Sequence, residues 1–521
     1  MTNFALPSPR ERGEGVRAAL ALIAAFTIAR LALDLSLGLG ADEAYTVAIS
    51  RRLALSYFDH PPLHQWLAHF SAEVFGGGVW VRLPFIALFA ATSWLMLALT
   101  RELFGARAGV WALFGLNASA FFFASAGGWV VPDGCLLLAL AAAALVLAKL
   151  FFGNVDRSAI WRLWLAAGFW LGLAGLSKYS AIFIALGAIL FMALSPRQRR
   201  WFAHPAPYAA ALLAAAMITP VIVWNYENGW VSFLFQGGRS APGGGLRPDH
   251  VGAMIVGEIA LLTPWIFVPL LGGFIAAVRL ARSDERRLFL LCLAAPAIAV
   301  FTLTPLWGAR GLPHWPMPGW FFVFPLAGVW VSEGWAQRYN LRAWAIGAAA
   351  LLGAVAVVFV TQANTGWITR LIAVPAGAVD PTLEMLDWRA LRDAPLFAQG
   401  KPAFAASVKW LDAGKIALAL GPKMPVLIFS EDPRGIAFLD NAADYVGRDG
   451  VIVLPKSKSG SLAGLLPYFA GLGEPQELVL GRSGADEIRL LLIPAHGLTR
   501  PFPLPYPPTV SAVQQSAGGV R

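Results

Sequence analysis

The sequence predicts an α-helical polytopic membrane protein of about eleven spans, with a small α/β domain outside the membrane toward its C-terminal end. Three observations predict it. Hydrophobic residues make up 58% of the 521 residues and charged residues 13%, against about 25% charged in a soluble domain; mean hydropathy is +0.63. Apolar runs long enough to cross a bilayer, about 20 residues each, recur as far as residue 362. Beyond it, shorter helical and strand signals alternate.

Residues 1–16 are largely polar and contain Arg10 and Arg12. The apolar run that follows is too long for a signal-peptide core and lacks a small-residue cleavage site, so it reads as a retained first span. Spans are expected near 17–40, 81–100, 107–127, 132–152, 161–177, 179–195, 207–224, 251–278, 288–306, 316–333 and 343–362. Alternate loops collect the arginines: Arg101 and Arg107, Arg157 and Arg162, Arg197 to Arg200, Arg279 to Arg287, Arg338 and Arg342. The positive-inside rule then makes the N-terminus cytoplasmic. The net charge of +10 is spent on topology and does not point to nucleic acid. Cys135 and Cys292 lie inside apolar runs and imply neither disulfide nor metal.

This divides the chain into a cytoplasmic segment 1–16, a transmembrane domain 17–362 with a first outer loop at 41–80, an outer α/β domain 363–500 and a proline-rich tail 501–521. In the loop, 43–57 and 62–75 read as interfacial helices, the second with an apolar face of Trp66, Leu67, Phe70 and Val74. In the outer domain the signals lie at 404–413, 426–430, 435–441, 451–454, 478–480 and 489–493. The tail, with Pro501, Pro503, Pro505, Pro507 and Pro508, reads as extended or disordered.

The side chains that carry chemistry fall on one face of this topology. Asp42 and Glu43 follow the first span directly; carboxylates at a lipid–water boundary are costly without a partner or a task. They read either as a catalytic pair able to accept a hydroxyl proton or as a helix cap with an acidic first turn. Asp133 begins a span and is either an N-terminal helix residue or an acidic group of the site. Lys178 is either a snorkelling anchor or a phosphate partner. The loop 225–250 is glycine-rich, aromatic and basic, and offers Arg239. His314 leads into the tenth predicted span. Asp59, His60 and His64 are the one set able to hold a divalent metal; the chemistry itself requires no cofactor. Tyr45, Tyr57 and Tyr179 stand beside these groups as substrate contacts.

Absences sharpen the reading. The sequence has no Asp-x-Asp metal–nucleotide clamp, no phosphate-binding loop, no Gly-x-Ser-x-Gly elbow and no His-Glu-x-x-His helix. One base and a set of cations suffice for glycosyl transfer from a lipid phosphate, because a phosphate leaves without a general acid.

Several segments together resemble the C-type membrane glycosyltransferases, in the bacterial branch related to protein O-mannosyltransferases and to the lipid A aminoarabinose transferase. They are Gly40-Ala41-Asp42-Glu43-Ala44-Tyr45, Tyr57-Phe58-Asp59-His60-Pro61-Pro62-Leu63, Pro132-Asp133, Leu176-Ser177-Lys178-Tyr179, Phe235-Gln236-Gly237-Gly238-Arg239, His314-Trp315-Pro316 and Asp380-Pro381-Thr382-Leu383-Glu384-Met385. The resemblance covers roughly residues 17–390. It implies a polyprenyl-phosphate sugar donor, transfer at the periplasmic face and a catalytic acidic residue in the first loop, which matches Asp42. The aminoarabinose enzymes carry Lys-Pro-Pro where this chain has His60-Pro61-Pro62; Lys178 and Arg239 are the cations that compensate. The expectation is an inverting, inner-membrane transferase: Asp42 as base or acceptor-orienting group, Glu43 or Asp133 supporting sugar or acceptor, and Lys178 and Arg239 on the donor phosphate with His60 and His314 nearby. The acceptor is a glycolipid such as lipid A, a polysaccharide or a protein, with membrane lipids around and no nucleic acid. A lipid-linked sugar carrier without catalysis is the alternative.

Overall fold

The computed structural model describes residues 9–239, 243, 245–309, 311–372 and 380–506. The tail beyond Tyr506 lies outside them. The chain divides into two compact units: Met1–Ala32, Leu83–Pro220 and Leu234–Ala354 form the first, and Leu33–Arg82, Val221–Phe233 and Val355–Arg521 the second.

The first unit is a helix bundle. Across the described residues, six helices are long and apolar enough to cross a membrane: Val16–Leu35, Val79–Phe104, Pro132–Phe152, Pro205–Glu227, Glu285–Trp307 and Leu341–Thr365. Two bent pairs raise the number to eight, Ala106–Asn117 with Ala120–Gly128 at 82° and Pro248–Leu262 with Pro264–Leu280 at 107°. Six to eight is fewer than the eleven spans expected, because several of the predicted runs are broken or short, as at Tyr179–Leu194. Thr263 takes φ +64° ahead of Pro264 and turns the second pair, since proline cannot donate the hydrogen bond that would continue the helix. The run near 316–333 splits into Met317–Phe321 and Phe324–Glu333. The bundle core is built from Phe89, Leu136, Leu140, Phe191, Phe289 and Phe324. Close packing relies on small residues: a Cβ on Gly328 would stand 2.3 Å from the Ala108 carbonyl oxygen, and one on Gly187 2.4 Å from that of Cys292.

In the second unit the first loop forms α2 (Ala41–Ser50) and α3 (Leu63–Phe75), and the C-terminal part forms a six-stranded mixed sheet. The strands are β1 (Phe404–Ser407), β2 (Val426–Ile428), β3 (Gly450–Pro455), β4 (Phe469–Leu472), β5 (Gln476–Arg482) and β6 (Ala485–Leu498). Their order is β2-β1-β3-β6-β4, with β5 also on β6; β1 is parallel to both its neighbours and the β6 pairings are antiparallel. Both faces are buried. Val451, Val453, Leu490 and Leu492 point into one apolar cluster, Ile452, Leu454 and Ile493 into another, as a period of two requires.

The sequence reading groups the loop 41–80 with the spans. In the structure it belongs to the compact unit of the sheet. The reason is packing: Tyr45, Ala48 and Ile49 of α2 share an apolar cluster with Trp410 and Ile416 of the helix Trp410–Leu420. In α3 the polar His64, Gln65 and Ser71 are buried, while Phe70, Val74 and Phe75 are exposed.

The contact of α2 with Trp410–Leu420 depends on Gly414, whose Cβ would meet Tyr45 Cα at 2.7 Å and its nitrogen at 2.8 Å. Gly414→Val is therefore expected to destabilise the unit by at least about 1–3 kcal/mol. The readout is the apparent Tm of purified protein in detergent. An unchanged Tm would mean that α2 is not held this way.

Candidate active site

Nine of the ten residues of α2 are buried; the exception is Asp42. Its neighbour Glu43 has a different place. The Glu43 carboxylate accepts the Gly40 N–H at 2.8 Å and Arg82 Nε at 2.8 Å, and a second bond from Arg82 Nη2. Arg82 also donates to the carbonyls of Asp34, Leu37 and Gly38, the last two at 2.9 Å. All five of its N–H donors are thus used, and both side chains are essentially inaccessible. The clamp satisfies carbonyls at the end of the first helix and the first N–H of α2. It fixes the corner from which Asp42 projects. Of the two readings of the acidic pair, Glu43 takes the cap.

A second network stands behind Asp42. The Tyr45 hydroxyl donates to Asp59 Oδ2 and accepts the Gly435 N–H at 2.8 Å. Arg434 lies 3.7 Å from Asp59 Oδ1, and its guanidinium stacks 3.9 Å over Trp410. Arg434 holds φ +45°, a costly left-handed conformation for a residue with a side chain. Burial pushes the Asp59 carboxyl up to about 6; Arg434 and Tyr45 pull against it, and Asp42 adds to it. Glu384 is likewise raised, by burial and then by the charge of Asp42. Asp380 is the opposite case: burial works to raise it, but Arg482, Thr382 and Gln362 outweigh burial and bring it down to about 2.

These contacts revise the expected roles. Tyr45 is a buried framework residue, and the Tyr57 hydroxyl donates to the Arg52 carbonyl at 3.0 Å. The rings of His60 and His64 are 5.7 Å apart, edge to face. Among the described residues no group of three His, Cys, Asp or Glu is placed to hold a metal ion, so Asp59, His60 and His64 do not converge as the metal set read from the sequence. Asp59 is engaged by a hydroxyl and a guanidinium instead.

The first unit carries its own charged cluster. Lys178 Nζ donates to both oxygens of Asp133, at 2.9 and 3.0 Å. Asp133 sits in the first turn of Pro132–Phe152, and Lys178 in the extended break before Tyr179. His314 lies parallel to the Phe121 ring at 6.4 Å. Burial, then the positive charges of Lys178 and Arg239, push His314 down to about 4, with Asp133 opposing. It is therefore a neutral hydrogen-bonding group at neutral pH, not the cation a phosphate would draw. Arg239 stacks over Trp315 at 4.6 Å and Phe235 at 5.5 Å. Tyr179 is half-buried.

Sequence reading missed Arg82, Arg434 and Arg482. Arg82 had a signal, an arginine at the head of an apolar run. It also missed Glu258, a carboxylate inside an apolar helix that accepts from Thr302 Oγ1 and Trp320 Nε1, both at 2.7 Å.

Residues 59–224 match the family of dolichyl-phosphate-mannose–protein mannosyltransferases. That stretch contains Asp133 and Lys178. Lipid A galacturonosyltransferase RgtD of Rhizobium johnstonii is 26% identical over 333 residues, 62% of this chain and 66% of that one. The fold matches ArnT of Cupriavidus metallidurans bound to undecaprenyl phosphate, with TM-score 0.64, 16% identity, and coverage of 91% of this chain and 97% of that chain. Its apo form matches with TM-score 0.61, 17% identity and coverage of 91% and 98%. The chain is similar in sequence to membrane glycosyltransferases and in fold to ArnT. At these identities the likeness to ArnT is one of fold, and it extends over nearly the whole of both chains.

Two predictions follow from the clamp and its neighbour. Glu43→Gln removes the carboxylate paired with the buried Arg82 and is expected to cost about 3–5 kcal/mol, read as a lowered apparent Tm that Glu43→Asp partly restores. Asp59 keeps its proton up to about pH 6 when folded and to about 4 when unfolded. Its contribution is therefore present below pH 4 and lost as pH rises toward 6, by up to about 3 kcal/mol. Stability relative to Asp59→Asn should decline across that window; a flat difference would contradict the assignment.

Proposed function

We propose that this protein is a glycosyltransferase that moves a sugar from a polyprenyl phosphate to a glycolipid acceptor at the periplasmic face of the inner membrane. The observation that carries the reading is Asp42, the single exposed side chain of a buried helix whose corner is locked by Glu43 and Arg82. A carboxylate fixed by its backbone and open to solvent is equipped to take a proton from an incoming hydroxyl. Asp59 and Glu384 lie close enough for the charge of Asp42 to raise both of their carboxyls. Support for the donor and acceptor classes comes from the relatives: ArnT was solved with undecaprenyl phosphate, and RgtD acts on lipid A.

The step is a direct displacement. The acceptor oxygen bonds to the anomeric carbon as its proton passes to Asp42. The bond from that carbon to the phosphate oxygen breaks, and the phosphate leaves with the electron pair. The new bond forms on the face opposite the departing group, so the configuration inverts. Lys178 and Arg239 stabilise the charge that grows on the phosphate. Asp133 holds Lys178 extended between turnovers, and neutral His314 offers a hydrogen bond. Lys178 is the cation for which the ion-pair geometry argues most strongly, since its nitrogen is already directed by two carboxylate oxygens.

The test is release of free polyprenyl phosphate by purified protein supplied with polyprenyl-phosphate sugars and a lipid A-type glycolipid. Asp42→Asn should lower the rate at least ~100-fold with little change in donor binding. Lys178→Ala should chiefly raise the donor KM. Exchange of intact donor without release, in wild type as in Asp42→Asn, would replace the transferase by a carrier.

A further inference from the structure

The second unit contains a basic cavity that the reaction scheme does not use. It measures about 270 Å³ and is lined by Arg51, Arg389, Arg392 and Lys415, with Asp387 as the one carboxylate of its wall. Gly77 and Gly78 form part of the rim, and Leu39, Leu386 and Leu418 supply an apolar floor. The cations come from distant parts of the chain: one from the end of α2, two from the turn after Trp388 and one from the helix Trp410–Leu420.

Their orientation is set by backbone carbonyls. Arg51 donates to the carbonyls of Ala417 at 2.8 Å and Gly421 at 3.3 Å, and Arg392 Nε donates to that of Ala419. Both guanidiniums therefore meet at the C-terminal end of one helix, where the backbone offers partial negative charge. That accounts for their positions but not for their number. A helix end carries roughly half an elementary charge, whereas the wall holds four cations, of which only Arg389 is paired with the one carboxylate, Asp387. Arg51 has three further N–H donors beyond its two carbonyl bonds. Lys415 is nine-tenths buried and donates to the carbonyls of Leu39 and Leu386, at 2.6 and 3.1 Å. Burial lowers Lys415 to about 8, against the carboxylates Glu43, Asp387 and Glu384, and Arg51 to about 10, against Asp440 and with Arg392 adding to the shift. Arg51 and Arg392 are thus like charges held close at one helix end, an arrangement that an anion relieves.

Guanidiniums gathered in the lining of a small concavity suit a tetrahedral phosphate, which accepts paired N–H bonds. The apolar floor suits the face of a sugar ring. We infer that this cavity binds a sugar phosphomonoester, the phosphorylated head group of the glycolipid acceptor. The inference rests on the proposed transferase reading for its ligand's role, but not for the binding itself.

The probe is N-acetylglucosamine 1-phosphate, added to the full-length protein in detergent while the apparent Tm is followed. Wild type and Asp42→Asn should both show a saturable rise, absent with unphosphorylated N-acetylglucosamine. Arg389→Gln/Arg392→Gln should lose the rise, and Arg389→Lys/Arg392→Lys should recover part of it. In turnover, the glutamine double variant should raise the KM for a phosphorylated acceptor at least ~10-fold with kcat and donor KM nearly unchanged. Dephosphorylated acceptor should not distinguish the variant from wild type.

A rise that persists in the glutamine variant overturns the site. So does a shift confined to the donor KM, which would make the cavity part of donor binding. Competition by phosphatidic acid at equal phosphate would assign it to bulk lipid and also overturn the inference. Equal binding of inorganic phosphate with unchanged acceptor KM would mark an adventitious ion only. If Arg392-dependent binding holds while no transfer is found, the cavity stands and the transferase reading falls.

Discussion

The buried pair of Arg82 and Glu43 is the constraint on which the corner that carries Asp42 depends. A guanidinium withdrawn from water costs several kcal/mol unless its charge and all its donors are satisfied. Here five bonds do so, two to a carboxylate and three to carbonyls of the segment that leaves the first helix. The arginine acts as a C-terminal cap for one helix and, through Glu43, as an anchor for the N-terminus of the next. Two helix ends that would each need water or a polar side chain satisfy one another through a single pair. The turn 381–385 closes on the same corner, where Gly38 admits the Met385 carbonyl because it has no Cβ.

Asp42 gains its character from this rigidity. Side chains at adjacent helix positions point about 100° apart, so a helix that buries Glu43 beside Arg82 turns Asp42 outward. The Tyr45, Asp59 and Arg434 network fixes the next turn of the same helix, and Arg482 does for the 380–385 turn what Arg82 does for α2. Arg482 joins Asp380, Thr382 and Glu487 and is itself buried. Three arginines and their carboxylates thus brace the framework, while the carboxylate proposed for chemistry stays open.

The first unit follows the same logic with fewer parts. Lys178 ends one helical run and starts another, and Asp133 opens the helix that receives it. Both were legible in the sequence because a charge that interrupts apolar runs is conspicuous. Their pairing was not, since 45 residues separate them. The histidines illustrate the converse: their spacing beside Pro61-Pro62 looks like a ligand set, yet their rings stand edge to face and Asp59 is held by Tyr45 and Arg434. Arg82 was overlooked because at the head of an apolar run it reads as a membrane-flanking charge.

Membrane class, helix content and the change of character near residue 363 were determined by the sequence alone. They rest on local physics: run length against bilayer thickness, period two in strands, proline and glycine at breaks. The resemblance in short motifs also located Asp42 and Lys178. Only the tertiary structure decided which member of the Asp42-Glu43 pair is framework, that the first loop folds with the sheet, and that the basic side chains of Arg51, Arg392 and Lys415 share one cavity. Each of these turns on contacts between residues distant in the chain, and local periodicity carries no record of which buried charge will meet which partner.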